Sequence, residues 1–140
     1  MVAEAVRLYD PLPRLREKIG LLSAQLTGQP LDWTVAPFAD VDLLQSVRNF
    51  LVHQRPELIE TDAGERKEQK LVNRLVERGV VSRRPKGVIE GTVGVLSEPA
   101  VGRWAFNSAL AAIQAIAAMF PERGWGDKLL FQYHGLEPIP

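Results

Sequence analysis

The sequence contains no cysteine, which excludes disulfides, thiolate metal sites and cysteine nucleophiles and fits a reducing compartment. Neither sign of charge is in excess: 17 Lys and Arg balance 17 Asp and Glu, and the pI is about 6.7. No global field draws nucleic acid or an anionic membrane, so any RNA contact has to come from a local patch. Long apolar runs are also missing. The longest, within Ala109–Phe120, carries Gln114 and falls short of the roughly 20 residues that span a bilayer. The opening stretch MVAEAVRLYD lacks the basic region and apolar run of a secretory signal. A cytoplasmic location with no membrane partner is expected. The two histidines, His53 and His134, lie far apart and belong to no HExxH helix or ligand cluster, so no metal and no cofactor are expected. A GxSxG turn is absent. The glycines of Gly87–Leu96 fit neither a P-loop, since no Gly-Lys-Ser/Thr follows, nor the dinucleotide fingerprint.

What is present describes a globular domain. With 140 residues, 46% hydrophobic and 24% charged, the chain suits one domain, residues 1–140, with a core of its own. Val2–Tyr9 has the spacing of a short helix before Pro11 and Pro13 break the chain. Leu15, Ile19, Leu22 and Leu26 recur at helical intervals and predict a helix over 12–27, ended by Gly28-Gln29-Pro30. Leu31–Ala39 has no clean period and reads as an ordered linker, with Trp33, Val35 and Phe38 turned to the core. A capping-box arrangement at Asp62–Glu65 opens a helix over 63–78 that stops at Gly79. Gly87–Leu96 alternates weakly and reads as an extended segment or hairpin. Ser97 as N-cap and Pro99 in the first turn open a last long helix over 98–119. Its alanines permit close packing beside a neighbouring helix. Trp125–Pro140 reads as an irregular or one-turn tail. The expected fold class is all-α, an antiparallel four-helix bundle with a short C-terminal tail.

The chain is organised around Asp40–Glu57, DVDLLQSVRNFLVHQRPE, predicted to be helical over 41–54 with Asp40 as N-cap and Pro56 just past the end. On a helix, Leu43, Leu44, Val47, Phe50 and Leu51 form a stripe about 120° wide that suits a core. Val41 and Val52 fall nearly opposite, as in a central helix or one that also meets a partner chain. Asp42, Ser46, Asn49 and His53 form a polar track at i, i+4, i+7, i+11. Arg48 and His53 flank the stripe about 140° apart. Arg48, Asn49 and His53 are the one constellation with plausible chemistry. A histidine, with an ordinary pKa of about 6.5, can take or give a proton near neutral pH. A guanidinium can hold a phosphate bidentately, and an adjacent amide can orient either group. The same residues have a structural reading, with Arg paired to a carboxylate and His placed at a helix C-terminus by the macrodipole. Ser82-Arg83-Arg84-Pro85-Lys86-Gly87 is the one basic cluster, and Arg83, Arg84 and Lys86 are the candidate RNA-binding residues.

The run Arg48-Asn49-Phe50-Leu51-Val52-His53 resembles the signature helix of the HEPN superfamily, in which an Arg, often followed by a polar residue, precedes a His by four to six positions. The opening PFADVDLL, the closing QRP and the later Arg103-Trp104-Ala105-Phe106-Asn107 extend the resemblance over about Pro11–Phe120. It implies a helical bundle, a two-fold homodimer and, in active members, metal-independent endoribonuclease activity. In that reaction the ribose 2′-hydroxyl attacks the adjacent phosphate and leaves a 2′,3′-cyclic phosphate. The expected function is an endoribonuclease, RNA-processing or toxin-type protein acting through Arg48, Asn49 and His53 at a dimer cleft. RNA is then a partner, and the resemblance also admits an antitoxin or a nucleotidyltransferase partner. The alternative is a non-catalytic dimerisation or protein- or nucleotide-binding module of the same family.

Overall fold

The computed structural model describes residues 14–53, 62–84, 91–121, 124–133 and 135–140; within these, the side chains of residues 62–69, 125 and 129 are not described. The described residues form α1 (Leu15–Thr27), α2 (Phe38–Val52), α3 (Asp62–Glu77), α4 (Thr92–Leu96), α5 (Pro99–Ala118) and α6 (Trp125–Phe131), with no strand among them. The protein is all-α over these residues. No described helix is long and apolar enough to cross a membrane. The short helix expected at Val2–Tyr9 lies outside the described residues.

Helix ends follow local chemistry. Gly28 and Gly79 both adopt φ 70°, a conformation that costs glycine little, and they close α1 and α3 as left-handed caps. Gly28 N–H donates to the Ala24 carbonyl, and Gly79 N–H to the Val76 carbonyl. Pro99 occupies the first turn of α5, where its missing N–H has no helical partner to lose. Two expected caps move. α2 starts at Phe38, so Asp40 lies inside the first turn rather than at the N-cap. There its charge suits the helix N-terminus, and it pairs with Arg78 at 2.8 Å. The N-cap of α5 is Glu98 rather than Ser97, and the Ser97 hydroxyl instead donates to the Val93 carbonyl of α4 at 2.8 Å. The capping box at Asp62–Glu65 falls on side chains that are not described.

Two expectations give way. Thr92–Leu96 is helical, not extended, because its neighbours impose a conformation that Thr-Val-Gly-Val does not favour alone. Thr92 and Val95 are buried, and α4 packs between α3 and α5. Trp125–Phe131 forms a helix that packs along α5, and residues 136–140 carry no regular secondary structure.

The core has two parts. Leu43 and Val47 of α2, Leu71 and Leu75 of α3, Val81, Val95 of α4 and Val101 of α5 form one cluster, with Phe50 and Trp104 against it. Ile19 of α1, Phe38 and Val41 of α2 and Ala112 of α5 form the other, with Trp33, Ile116 and Met119 against it. The first half of α2 therefore meets the second half of α5, and the reverse, so the two helices run antiparallel side by side. Ala112 at this crossing is the small residue that close approach requires. Val41, which helix arithmetic sets opposite the main stripe, is buried in the second cluster; α2 is apolar on two sides because it has core on two sides. Leu51, expected in the core, is 49% exposed, and Val52 is 58% exposed.

Candidate functional site

The polar track on α2 divides into halves with different surroundings. In the first half, the Asp42 carboxylate accepts from Arg16 of α1 at 3.3 Å and from Arg74 of α3 at 3.1 Å. Arg74 also donates to the Ser46 hydroxyl at 3.2 Å, and that hydroxyl donates to the Asp42 carbonyl at 3.1 Å. Arg16 in turn stacks over the Trp33 ring, 4.9 Å from its centroid. Charge and hydrogen bonds here tie three helices together, which is a structural use of polar residues.

In the second half, the side chains of Asn49 and His53 are exposed, as is that of Arg48 beside the track. Arg48 Nη1 donates to Asn49 Oδ1 at 3.1 Å. This is the only hydrogen bond of either side chain among the described residues, and no described carboxylate pairs with Arg48. His53 is the C-cap of α2, its N–H donating to the Asn49 carbonyl at 3.0 Å, while its imidazole meets no described partner. A cation at a helix C-terminus faces the negative end of the macrodipole. Arg48 and Asn49 are thus placed together, whereas His53 lies about 140° further round the helix from Arg48. Beside them, exposed Leu51 and Val52 form the apolar part of the same helix end.

Of the basic residues expected from the sequence, Arg83 and Arg84 are described. Arg84 forms an ion pair with Glu98, the N-cap of α5, and the antiparallel packing sets the start of α5 beside the end of α2. Arg83 is exposed. Lys86 and His134 lie outside the described residues. Trp104, within the Arg103–Asn107 run of α5, packs on the first core cluster with its indole Nε1 buried and without a described partner. A shallow cavity of about 250 Å³ lies at the opposite end, lined by Gln114, Phe120, Gly126, Asp127 and Leu130 among others. It gathers no acid–base pair. No group of three or more metal-ligating side chains occurs among the described residues.

Sequence reasoning missed a second polar arrangement, in which Asn107 and Arg103 hold the main chain of Ile139 and Pro140. Nothing local in the sequence links residues 32 positions apart.

No family model matches the chain, and no curated protein or solved structure gives a match. The functional reading therefore rests on the residues themselves.

Proposed function

We propose that the protein is a HEPN-like, metal-independent endoribonuclease built on a four-helix bundle, with Arg48, Asn49 and His53 as its working residues in a cleft between two copies. The observation that carries this reading is the split of the α2 track: Asp42 and Ser46 are engaged in binding helices together, while Arg48, Asn49 and His53 stand exposed. A structural Arg is expected to pair with a carboxylate, and among the described residues Arg48 meets none; His53, as the C-cap of α2, fits either reading.

Arg48 and His53 are angularly separated on their own helix, so one copy is a poor fit to one phosphate. A two-fold arrangement of α2 ends gathers two of each. One His53 then accepts the 2′-hydroxyl proton as the 2′-oxygen bonds to phosphorus. The P–O5′ bond breaks, and the second copy's His53 gives a proton to the leaving 5′-oxygen. Arg48 binds the phosphate and offsets the charge that builds on its oxygens. Asn49, hydrogen-bonded to Arg48, fixes the guanidinium or meets the ribose. Arg83 supplies a phosphate contact at the same end of the molecule.

The test is incubation of purified protein with total RNA in excess chelator, wild type beside Arg48→Ala and His53→Ala. Cleavage leaving cyclic phosphate ends is expected, with losses of about 10²–10⁴-fold for His53→Ala and about 10²–10³-fold for Arg48→Ala. Undiminished cleavage by His53→Ala refutes the assignment. Exposed Leu51 and Val52 favour a second reading, in which the same helix end is a dimerisation module without chemistry; a stable dimer that leaves RNA intact decides for it.

A further inference from the structure

Ile139 and Pro140 lie against α5, held through their main chain. Asn107 Nδ2 donates to the Ile139 carbonyl at 2.9 Å, and Asn107 Oδ1 accepts the Ile139 N–H at 2.8 Å. One turn earlier on the same face, Arg103 Nη1 donates to the Pro140 carbonyl at 3.2 Å. A carboxamide that meets both the N–H and the C=O of one residue does what a neighbouring strand does in an antiparallel pair.

The chemistry of the occupant follows from the groups that are used. Pro138 and Pro140 have no N–H, so Ile139 offers the one main-chain donor in Pro138-Ile139-Pro140, and Asn107 captures it. A residue before proline is steered to extended backbone, so Glu137 and Ile139 are set in shape before docking and lose little entropy on it. Leu136 and Ile139 are 44% and 43% exposed, so both stay partly in water while the main-chain hydrogen bonds fix the register. The segment joins α6 through a turn at Gly135, φ 83°, a joint that glycine can rearrange at low cost.

We propose that Arg103 and Asn107 form a docking site for an extended peptide of a partner protein, one with a single non-proline residue between two prolines. Ile139 and Pro140 occupy this site until such a peptide displaces them. The tethered segment competes at an effective concentration of about a millimolar, so the partner peptide needs contacts beyond the clamp or a local abundance to win. The site is separate from Arg48 and His53 and stands whether or not the chain cleaves RNA.

The experiment uses the full chain and a fluorescein-labelled Gly-Leu-Glu-Pro-Ile-Pro peptide with an amidated end. Ile139→Pro removes the captured N–H from the chain's own segment and opens the clamp. The labelled peptide is expected to bind this variant at sub-millimolar concentration and wild type at least about tenfold more weakly. Adding Asn107→Ala to Ile139→Pro removes two hydrogen bonds and weakens the peptide by about tenfold or more. A peptide with an N-methylated Ile binds no better than background. In parallel, about 1 mM unlabelled peptide is expected to speed hydrogen exchange of the Ile139 amide in wild type. No binding to Ile139→Pro at about 1 mM, equal binding after Asn107→Ala, or an unchanged Ile139 exchange rate overturns the proposal.

Discussion

Gly126 in α6 faces the Ala117 carbonyl of α5 so closely that a Cβ on it would lie 2.6 Å from that oxygen. The obstacle is backbone, so it cannot swing aside. Gly126→Ala is expected to cost about 1–3 kcal/mol as α6 is pushed off α5. Gly20, inside α1, has no atom beyond its chain neighbours and its own helix backbone within 4 Å of a built Cβ, and Gly20→Ala should gain about 0.5–1 kcal/mol. Urea unfolding of the two variants beside wild type gives both signs in one series.

Asp42 joins Arg16 and Arg74, and all three side chains keep a third or more of their surface in water. Such pairs are worth little each. Asp42→Ala is expected to cost roughly 1 kcal/mol at low salt, and the cost should shrink in 1 M salt as screening removes what the pairs contribute. A cost that does not change with salt would assign the effect to helix packing instead.

Arg48 and His53 should be nearly silent in stability. Both are exposed, and among the described residues neither holds another helix, so alanine at either position is expected to shift unfolding by no more than about 0.5 kcal/mol. A loss several times larger, measured by thermal or urea unfolding, would move these residues to the structural class and count against a catalytic role.

Leu51 and Val52 are the test of association. Leu51→Glu and Val52→Lys put charge on residues 49% and 58% exposed, so each chain should fold as before. If the α2 ends meet in a dimer, sedimentation at tens of micromolar should turn from dimer towards monomer in both, since an interface of standard size tolerates no unpaired central charge. Unchanged sedimentation removes this face from the interface.

Asp32 accepts from the Thr34 hydroxyl at 2.6 Å and from the Thr34 N–H at 2.8 Å. These bonds, the hydroxyl first, hold its carboxyl below the usual carboxylate range. The charged form is the favoured one in the folded chain. What this turn adds to stability is therefore complete above the ordinary carboxylate value and is lost as pH falls through the lowered one. Thr34→Val removes the hydroxyl and keeps the N–H, so the Asp32 midpoint in an NMR titration should rise part of the way back.

Elements with strong local chemistry are legible in the sequence. Gly28 and Gly79 mark helix ends, Pro99 marks a start, and the spacing of Leu71 and Leu75 gives the buried face of α3. Other features depend on distant neighbours. Helix arithmetic turns Val41 away from the main stripe but does not say what lies on that side, and α1 with the Trp33 loop lies there. Leu51 matches the core stripe, yet it is 49% exposed. Thr92–Leu96 carries two valines and a glycine, so only burial between α3 and α5 makes it helical. For the candidate site, residue type alone points to Arg48, Asn49 and His53. It does not reveal that Asp42 and Ser46, on the same track, are bound up with other helices. The Asn107–Ile139 clamp has no sequence signal at all.

The two-part core has a consequence for how the molecule opens. Among the described residues only α2 and α5 belong to both clusters, so α1 with its loop can detach at one end while α3 and α4 stay packed at the other. Amide exchange should then resolve two partial unfolding units, with the longest-lived amides confined to the α2–α5 pair. Arg48 and His53 ride on the end that the α3–α4 unit supports. Loosening α1 should leave their spacing intact, and loosening α3 should not.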